Sequence, residues 1–570
     1  MQVNIRQRRF HAVTYAFLFF FLCCFLRLSY IQFFKSKYLS TIANQQHNLY
    51  IELEPVRGAI RDRNLKPLAI NIPSDSLYGS PRQIKNKEKV IIELKEILGL
   101  DESYLKSRLD RDKAFVWLAR KISPEQVDRI KKLKLAGLGF IRESKRCYPN
   151  KNLASHEIGF AGLDNTGLEG LELSYDSYLK GSNGWAQVLR DARQNTLLWE
   201  KIALPKDGHE IVLTIDEFIQ FVAERELERV YKTFRARGAS VIVLNPKTGE
   251  ILAMANRPTY DPNRPQAAGL DSRRNRALCD MFEPGSVFKI VTASAALEEG
   301  KFNESNRFFC ENGSYRVANH ILHDHQPHGW LTFSQVIAES SNIGTTKIAQ
   351  ALGGDLVYKY ADLFGFGKKS GLDLPGEISG VLKETKNWSK TSIGAVPIGQ
   401  EVGVTALQLV SAISAIANGG VLMKPFIVKE IRNSDGQTVK EFAPQEIRRV
   451  ISPRTAKRMK DILVMVTEEG TGQMAKIPDF KVAGKTGTAQ KVGPNGAYSH
   501  SSYIASFIGF APADDPLIAI VVTVDEPRPY YFGGVVSAPV FKRIAQETVN
   551  YLKLQQNNYA LGEIAKKTEQ

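Results

Sequence analysis

Cysteine is scarce and unpaired in this sequence. The chain of 570 residues has five cysteines, and no two of them form a Cys-x-x-Cys pair. A zinc ribbon or a disulfide framework is therefore not expected. Cys23 and Cys24 lie in an apolar run near the N-terminus, Cys147 lies further along, and Cys279 and Cys310 have no neighbouring base in the sequence. We expect the last two to be structural thiols.

The sequence also lacks an internal repeat and a low-complexity linker. At about 150 residues per domain its length predicts three or four domains. The 43% of apolar and 9% of aromatic residues are enough to form large cores, which excludes wholesale disorder, a collagen-like repeat and a disulfide-dense miniprotein. With 76 Lys and Arg against 60 Asp and Glu, the net charge is +16. That balance suits nucleic acid, an anionic membrane surface or an acidic polymer.

Long hydrophobic runs are absent except for one. Residues 12–34 are mostly apolar and carry no charge apart from Arg27, and they have about the length of one bilayer crossing. The preceding residues 1–11 carry Arg6, Arg8 and Arg9, which predicts a cytoplasmic tail followed by a single anchor and an exported remainder. A cleaved signal peptide is the alternative. However, the bulky flank after the run offers no small-residue cleavage site.

The pattern along the exported part divides it into two regions. Residues 35–213 mix strand-like and charged helical segments and predict an α+β scaffold. A tight Pro-Lys-Thr-Gly turn joins two strand-like runs after Gly238, helical runs follow near 291–297 and 406–417, and the strand pattern returns at 485–524. We therefore predict an α/β domain over residues 214–555, with a sheet closed by distant segments and flanked by helices. A polar tail follows at 556–570.

A Ser-x-x-Lys pair can place a lysine amine near a serine hydroxyl on one face of a helix. The pattern occurs three times. The pairs at Ser103 and Ser177 have charged, tyrosine-rich surroundings that indicate a solvated face. Ser286, paired with Lys289, instead follows Pro284-Gly285 and precedes an apolar helical run. This predicts Ser286 at a helix N-terminus, which favours developing negative charge.

Two further short motifs follow in the same predicted domain. Ser340 and Asn342 form a single Ser-x-Asn, which alone is more typical of a capping or turn pair. Lys-Thr-Gly occurs twice. The copy at Lys247 sits in the predicted hairpin turn, while Lys485-Thr486-Gly487-Thr488 begins a strand-like stretch. There Gly487 would let a substrate backbone approach. A phosphate-binding loop is excluded because Asp479 stands where its first glycine is required.

The order of these motifs resembles the SxxK, SxN, KTG set of penicillin-binding proteins and serine β-lactamases. The surrounding segments RGAIRDRN at Arg57, GLEGLELSYDSYLKG at Gly167 and GGVVSAPVF at Gly533 are similar to class B penicillin-binding proteins of the division type. The resemblance covers most of the chain after the anchor. It implies a multidomain α/β protein with one N-terminal transmembrane helix, an elongated α+β pedestal and a C-terminal transpeptidase domain. One departure is Leu65, which stands where the family usually has glycine after Asp-Arg-Asn.

The resemblance also implies a mechanism for peptidoglycan D,D-transpeptidation. Ser286 would attack the carbonyl between the two terminal D-alanines of a stem pentapeptide, and a neutral Lys289 would take its proton, with burial and the charge of Lys485 both favouring that neutral form. Ser340 would relay a proton to the leaving amine, and Asn342 would hold Lys289 and the substrate amide. The remaining roles would be carboxylate binding by Lys485, Thr486 and Thr488, and an oxyanion hole of the Ser286 and Thr488 backbone N–H groups.

Other functions and ligands stay open at this stage. An elongation-type transpeptidase, a D,D-carboxypeptidase, a β-lactamase and a membrane-anchored β-lactam sensor or scaffold share the motifs. The resemblance implies β-lactams as inhibitors, and glycan strands, a membrane glycosyltransferase of the FtsW type and other divisome proteins at the septum as partners. It implies no cofactor. The cluster of His320, His323, Asp324, His325 and His328 has spacing that suits a metal, but we predict no metal, and an exported chain predicts no nucleic acid.

Overall fold

The structure is a computed structural model that describes residues 2–113, 115–190, 196–493 and 496–568. Its α-helices are α1 (Gln2–Tyr30), α2 (Ser36–His47), α3 (Lys87–Leu98), α4 (Glu102–Leu109), α5 (Pro124–Lys132), α6 (Ser155–Ile158), α7 (Gly170–Ser174), α8 (Asp176–Leu179), α9 (Glu217–Thr233), α10 (Leu270–Arg273), α11 (Arg276–Cys279), α12 (Lys289–Glu298), α13 (Phe333–Ala338), α14 (Asn342–Leu352), α15 (Gly354–Leu363), α16 (Ser392–Ala395), α17 (Ala406–Ala417), α18 (Pro453–Glu468), α19 (Gly533–Val536) and α20 (Ala538–Thr568).

The strands range in length from two to fourteen residues. They are β1 (Asn48–Leu53), β2 (Ile60–Arg61), β3 (Pro67–Gly79), β4 (Val116–Ile122), β5 (Leu138–Cys147), β6 (Gly184–Arg190), β7 (Thr196–Ala203), β8 (Glu210–Leu213), β9 (Gly238–Leu244), β10 (Ile251–Arg257), β11 (Arg307–Phe309), β12 (Ser314–Val317), β13 (His320–His323), β14 (Trp330–Thr332), β15 (Val421–Met423), β16 (Val428–Arg432), β17 (Thr438–Glu441), β18 (Glu446–Arg449), β19 (Ala483–Val492), β20 (Tyr498–Ala511) and β21 (Ile518–Asp525).

One compact unit consists of residues 1–56 and 181–207. It contains α1, a π-helical turn at Ile31–Lys35, α2 and an antiparallel sheet in the order β1-β6-β7. Within the described part of the chain, the segment Asn4–Ile42 is the one helix long and apolar enough to cross a membrane. Its apolar side chains are exposed, with Phe19 at 69%, as in a helix whose whole circumference is built to face lipid.

The second unit consists of residues 57–180 and 208–570, and its scaffold part is held by a buried ionic cluster. Arg57 binds Glu172 at 2.7 Å and Asp176 at 2.6 Å, and Arg146 binds the other oxygen of Glu172 at 2.6 Å. Glu172 is fully buried, and a buried carboxylate needs such partners. The cluster joins the segment that begins at Arg57 to the segment that begins at Gly167. These two segments, which carry the family resemblance, therefore stabilise the scaffold.

The turn after β2 contains a strained residue at the position where the family usually has glycine. Leu65 has φ of 66°, in the left-handed region that costs a non-glycine residue about 1–2 kcal/mol. The turn is nevertheless fixed, because Asp62 Oδ1 accepts hydrogen bonds from the backbone N–H groups of Asn64 and Lys66, both at 2.8 Å. Leucine in place of glycine therefore costs conformational energy, but it does not change the geometry of the turn.

The C-terminal part of the second unit is built on a five-stranded antiparallel sheet in the order β10-β9-β21-β20-β19. This confirms the predicted hairpin and the closure of the sheet by distant segments. Helices α9 and α20 supply the apolar core on one face, and α12 and α17 belong to the core on the other. Every residue of α17 from Ala406 to Ile416 is buried, which explains its apolar composition.

Replacing Leu65 by glycine should stabilise the protein. Glycine adopts the left-handed conformation without strain but loses more entropy on folding, so we expect a net gain of about 0.5 kcal/mol, seen as a higher thermal unfolding midpoint. Leu65 is 43% exposed, so little packing is lost. Leu65→Ala is the control, because it removes the side chain and keeps the strain; an equal gain in that variant would contradict the account.

Candidate active site

The nucleophile candidate lies in a short 3-10 turn, Gly285–Phe288, that runs directly into α12. The structure confirms Ser286 at the N-terminal end of this helical segment. From Pro284 to Leu297 every residue is buried except Ser286, which is half-buried. Gly285 has φ of 55° and its N–H donates to the carbonyl of Gly399 at 3.1 Å. The sequence thus presents one hydroxyl on an otherwise buried and tightly held segment.

Lys289 is fully buried and points its amine at the Ser-x-Asn loop. Its Nζ donates to Asn342 Oδ1 at 2.8 Å, to the Ser340 carbonyl oxygen at 2.5 Å and to the Ser340 hydroxyl at 3.3 Å. The loop, residues 339–341, lies between α13 and α14, and Ser340 has φ of 61°. Non-glycine residues in that region are uncommon and are often found at functional sites.

The third motif reaches the same hydroxyl from the edge strand β19. Lys485 is fully buried, and its Nζ donates to the Ser340 hydroxyl at 2.9 Å. Thr486 is 7% exposed and its hydroxyl shares a hydrogen bond with Thr471 at 2.7 Å. Thr488 is more exposed, and its hydroxyl accepts the N–H of Gly533 at 3.1 Å. The motifs that are far apart in sequence therefore meet at Ser340.

Burial makes both amines weak bases. It lowers the pKa of Lys289 from 10.5 to about 7, while the negative charge of Asp324 acts in the opposite direction. Burial, followed by the positive charge of Lys289, holds the pKa of Lys485 well below its usual value. The predicted effect of burial on Lys289 is thus confirmed. The predicted effect of the Lys485 charge on Lys289 is not seen; the repulsion between the amines lowers the pKa of Lys485 instead.

Asp324 organises the Asn342 end of the site. Its carboxylate accepts the hydroxyl of Ser341 at 2.6 Å and the backbone N–H groups of Asn342 at 2.5 Å and Ile343 at 3.0 Å. These N–H groups begin α14, where a negative charge is stabilising. The next residue upstream, His323, accepts the Asn342 side-chain N–H at its carbonyl, at 2.9 Å. Asp324 thus fixes the amide that holds Lys289.

The histidine cluster that suited a metal by spacing has another structural context. His320 and His323 lie on β13, where they pair with Val317 and Ser314 of β12. The His325 ring packs on Phe532 at 4.8 Å between centroids. Among the residues that the structure describes, no group of three or more His, Cys, Asp or Glu side chains is placed to hold a metal. The Asp324 carboxylate in the middle of the cluster is used as a helix cap.

The expectation for Gly487 needs a correction. A Cβ at this position would lie 2.4 Å from the Ser506 hydroxyl, 2.9 Å from Val287 and 3.0 Å from the Pro284 carbonyl oxygen. The space that glycine provides is therefore filled by the protein and not by a substrate backbone. Gly487 is needed so that β19 can pass directly beneath the turn that carries Ser286.

Two residues of the site were not identified from the sequence as site residues. The sequence groups Asp324 with possible metal ligands and gives no capping signal for it, because it lies 18 residues before Asn342, where α14 begins. Thr471 carries no such signal, because it lies in a loop and reaches Thr486 only through the packing of α18 against β19. The second Lys-Thr-Gly copy, at Lys247, lies in the hairpin turn, where Gly249 has φ of 83°.

Comparison with known proteins identifies the family. Residues 239–546 match the model described as penicillin binding protein transpeptidase domain, and residues 52–213 match penicillin-binding protein dimerisation domain. The chain belongs to the class B penicillin-binding proteins. It is 37% identical to stage V sporulation protein D of Bacillus subtilis over 96% of this chain and 86% of that protein.

Further relatives and solved structures agree with this assignment of the class B penicillin-binding protein. It is 32% identical to peptidoglycan D,D-transpeptidase FtsI of Escherichia coli, over 89% of this chain and 85% of that protein. Penicillin binding protein 3 of Mycobacterium tuberculosis in complex with aztreonam has a similar structure, with a TM-score of 0.70, 30% identity, and coverage of 89% of this chain and 97% of that chain.

Proposed function

We propose that this class B penicillin-binding protein cross-links the stem peptides of septal peptidoglycan through an acyl-enzyme on Ser286. As a member of its family it is a peptidoglycan D,D-transpeptidase, and the proposal concerns its chemistry and its place in the cell. The observation that supports it most is that the amines of Lys289 and Lys485 both donate to the Ser340 hydroxyl, while Lys289 also binds Asn342. A lone capping pair or a solvated helix face would not bury two lysines there.

In this proposal Ser286 attacks the carbonyl between the terminal D-alanines and Lys289 takes its proton. A lysine can act as a base only when neutral, and a pKa of about 7 makes a large fraction of Lys289 neutral near neutral pH. The N-terminal end of the helical segment that carries Ser286 favours the negative charge that develops on the carbonyl oxygen. The backbone N–H groups of Ser286 and Thr488 would form the oxyanion hole. Support comes from Gly285, whose added Cβ would lie 3.0 Å from the Thr488 carbonyl oxygen.

Ser340 is suited to pass a proton to the leaving amine. Its hydroxyl lies 3.3 Å from the amine of Lys289 and 2.9 Å from that of Lys485. Asn342 orients Lys289 through its carbonyl oxygen and would also meet the substrate amide. Loss of the terminal D-alanine leaves the acyl group on Ser286, and the amine of a neighbouring stem peptide then attacks this ester and frees the serine.

Lys485, Thr486 and Thr488 would bind the carboxylate of the terminal D-alanine. A carboxylate within reach of Lys485 favours its charged form and offsets the burial that lowers its pKa. The same residues would receive the carboxylate of a β-lactam, which acylates Ser286 in place of the substrate. Substrate binding would therefore convert Lys485 into the cation that an anionic substrate needs.

The chemical part of the proposal is tested with a stem pentapeptide as donor and an amine-bearing stem peptide as acceptor. The full chain in detergent should release D-alanine and form the cross-linked product. Ser286→Ala should lose both activities by at least about a thousandfold, as expected for removal of a nucleophile, while keeping the thermal unfolding midpoint of the parent. Cross-linking that persists in Ser286→Ala would reject the assignment, and D-alanine release without a cross-linked product would indicate a carboxypeptidase.

The cellular part of the proposal places the catalytic domain outside the cytoplasmic membrane at the division septum, with the N-terminus in the cytoplasm. Support comes from the apolar helix within Asn4–Ile42, the arginines before it and the division-type segments near Lys485 and Gly533. A glycosyltransferase of the FtsW type and other divisome proteins would be the partners. A fluorescent protein fused to the N-terminus should gather at mid-cell before constriction, whereas a uniform signal along the lateral wall would indicate an elongation role.

A further inference from the structure

A cavity of about 360 Å³ lies beside the nucleophile turn. Three parts of the chain form its walls: residues 281–283, residues 401–403 with Val381, and residues 489–492 with Ile504. A backbone pair between Phe282 and Val404 ties the first wall to the second, and a pair between Val381 and Gly403 holds the second wall together. The cavity is therefore a preformed feature of the fold.

The position of the cavity relates it to the acyl donor. Glu283 stands three residues before Ser286, and Ala489 directly follows Thr488. β19 is an edge strand, so an extended peptide can lie beside it. If the carboxylate lies at Lys485 and the scissile carbonyl at Thr488, the peptide runs antiparallel to β19. The residue before the one that carries the scissile carbonyl lies about 3.3 Å further along the strand direction. It then reaches the cavity.

The lining of the cavity is apolar with an acidic rim. Its apolar residues are Met281, Phe282, Val381, Val402, Ala489, Val492 and Ile504. Lys491, the one lysine of the lining, binds Asp525 and Glu526, both at 2.7 Å. Glu283 and Glu401 have no ion-pair partner among the described residues. This lining suits a long aliphatic side chain that ends in a cation.

Glu283 is held in place by neighbours that do not neutralise it. One of its oxygens accepts the Glu401 backbone N–H at 2.9 Å and the Tyr498 hydroxyl at 3.2 Å. Burial raises the pKa of Glu283 and the charge of Glu401 adds to this, while the two hydrogen bonds and the charge of Lys383 act in the opposite direction. A bound ammonium group would relieve this repulsion between the two carboxylates.

The chemistry of cross-linking supplies a ligand of this kind. Each stem peptide must carry a side-chain amine to act as an acceptor, so a donor stem carries the same amine near its D-alanyl-D-alanine end. We propose that the cavity receives this amine-bearing side chain of the acyl donor, with Glu283 and Glu401 binding its ammonium group. The inference rests on the proposed function. It makes these glutamates specificity-determining residues for a donor whose preceding residue is a diamino acid.

The test uses two donor pentapeptides that end in D-alanyl-D-alanine and differ only in the third residue, which is L-lysine in one and Nε-acetyl-L-lysine in the other. With the full chain in excess and no acceptor, acyl-enzyme formation is followed by intact mass. We expect the lysine donor to react about tenfold faster, as for a hydrogen-bonded ionic contact. Equal rates in the parent protein would overturn the inference.

Variants then assign the preference to the cavity. Glu283→Gln combined with Glu401→Gln keeps oxygen acceptors in place and should reduce the preference to below about threefold. Gln490→Lys keeps both carboxylates, adds a competing cation at the rim and should also weaken it. Glu384→Gln makes the same charge change outside the cavity, at a residue paired with Lys386, and should leave the preference unchanged. An undiminished preference in the first two variants would overturn the inference.

Failure of the proposed function gives a different result. In that case the parent protein forms no acyl-enzyme with either donor or with benzylpenicillin, and the inference falls with it. If benzylpenicillin acylates the parent protein and both donors react at the same rate, only the donor site is refuted. Benzylpenicillin labelling of each variant also reports whether its active site is folded.

Discussion

The buried amine of Lys289 is the constraint on which the catalytic site depends. A lysine without solvent must find oxygen acceptors or lose its charge, and here it does both, because two acceptors of the Ser-x-Asn loop bind it while burial lowers its pKa to about 7. The acceptors lie about 50 residues further along the chain. Any change that moves the loop therefore also changes the basicity of the residue next to Ser286.

The surrounding fold holds this arrangement from three directions. Asp324 caps α14 and so fixes Asn342, Lys485 reaches Ser340 from the edge strand, and Gly487 lets that strand pass under the Ser286 turn. Ser340 itself has a left-handed backbone that costs energy. The fold of the domain thus offsets the backbone strain that holds the Ser340 hydroxyl between the amines of Lys289 and Lys485.

The sequence predicts the features that depend on local pattern. The hairpin of β9 and β10, the apolar helices α12 and α17, the helix-terminal position of Ser286 and the strand position of Lys485 all follow from spacing and composition. The role of Gly487 does not follow from local pattern. Pro284 and Val287 occupy the space where a side chain at position 487 would lie, and they are about 200 residues away in sequence. The conformation of Leu65 could not be predicted from the sequence either. Only the structure of the turn shows that this leucine adopts the left-handed conformation that glycine favours.

The pH dependence of benzylpenicillin acylation at Ser286 tests the account most directly. A lowered pKa means that Lys289 is charged below about pH 7 and neutral above it, so the rate should rise about tenfold between pH 6 and pH 8. Intact mass gives the rate and peptide mapping gives the site of the adduct. A rate that stays constant over this range, or an adduct on another residue, would contradict the assignment of Lys289 as the base for Ser286.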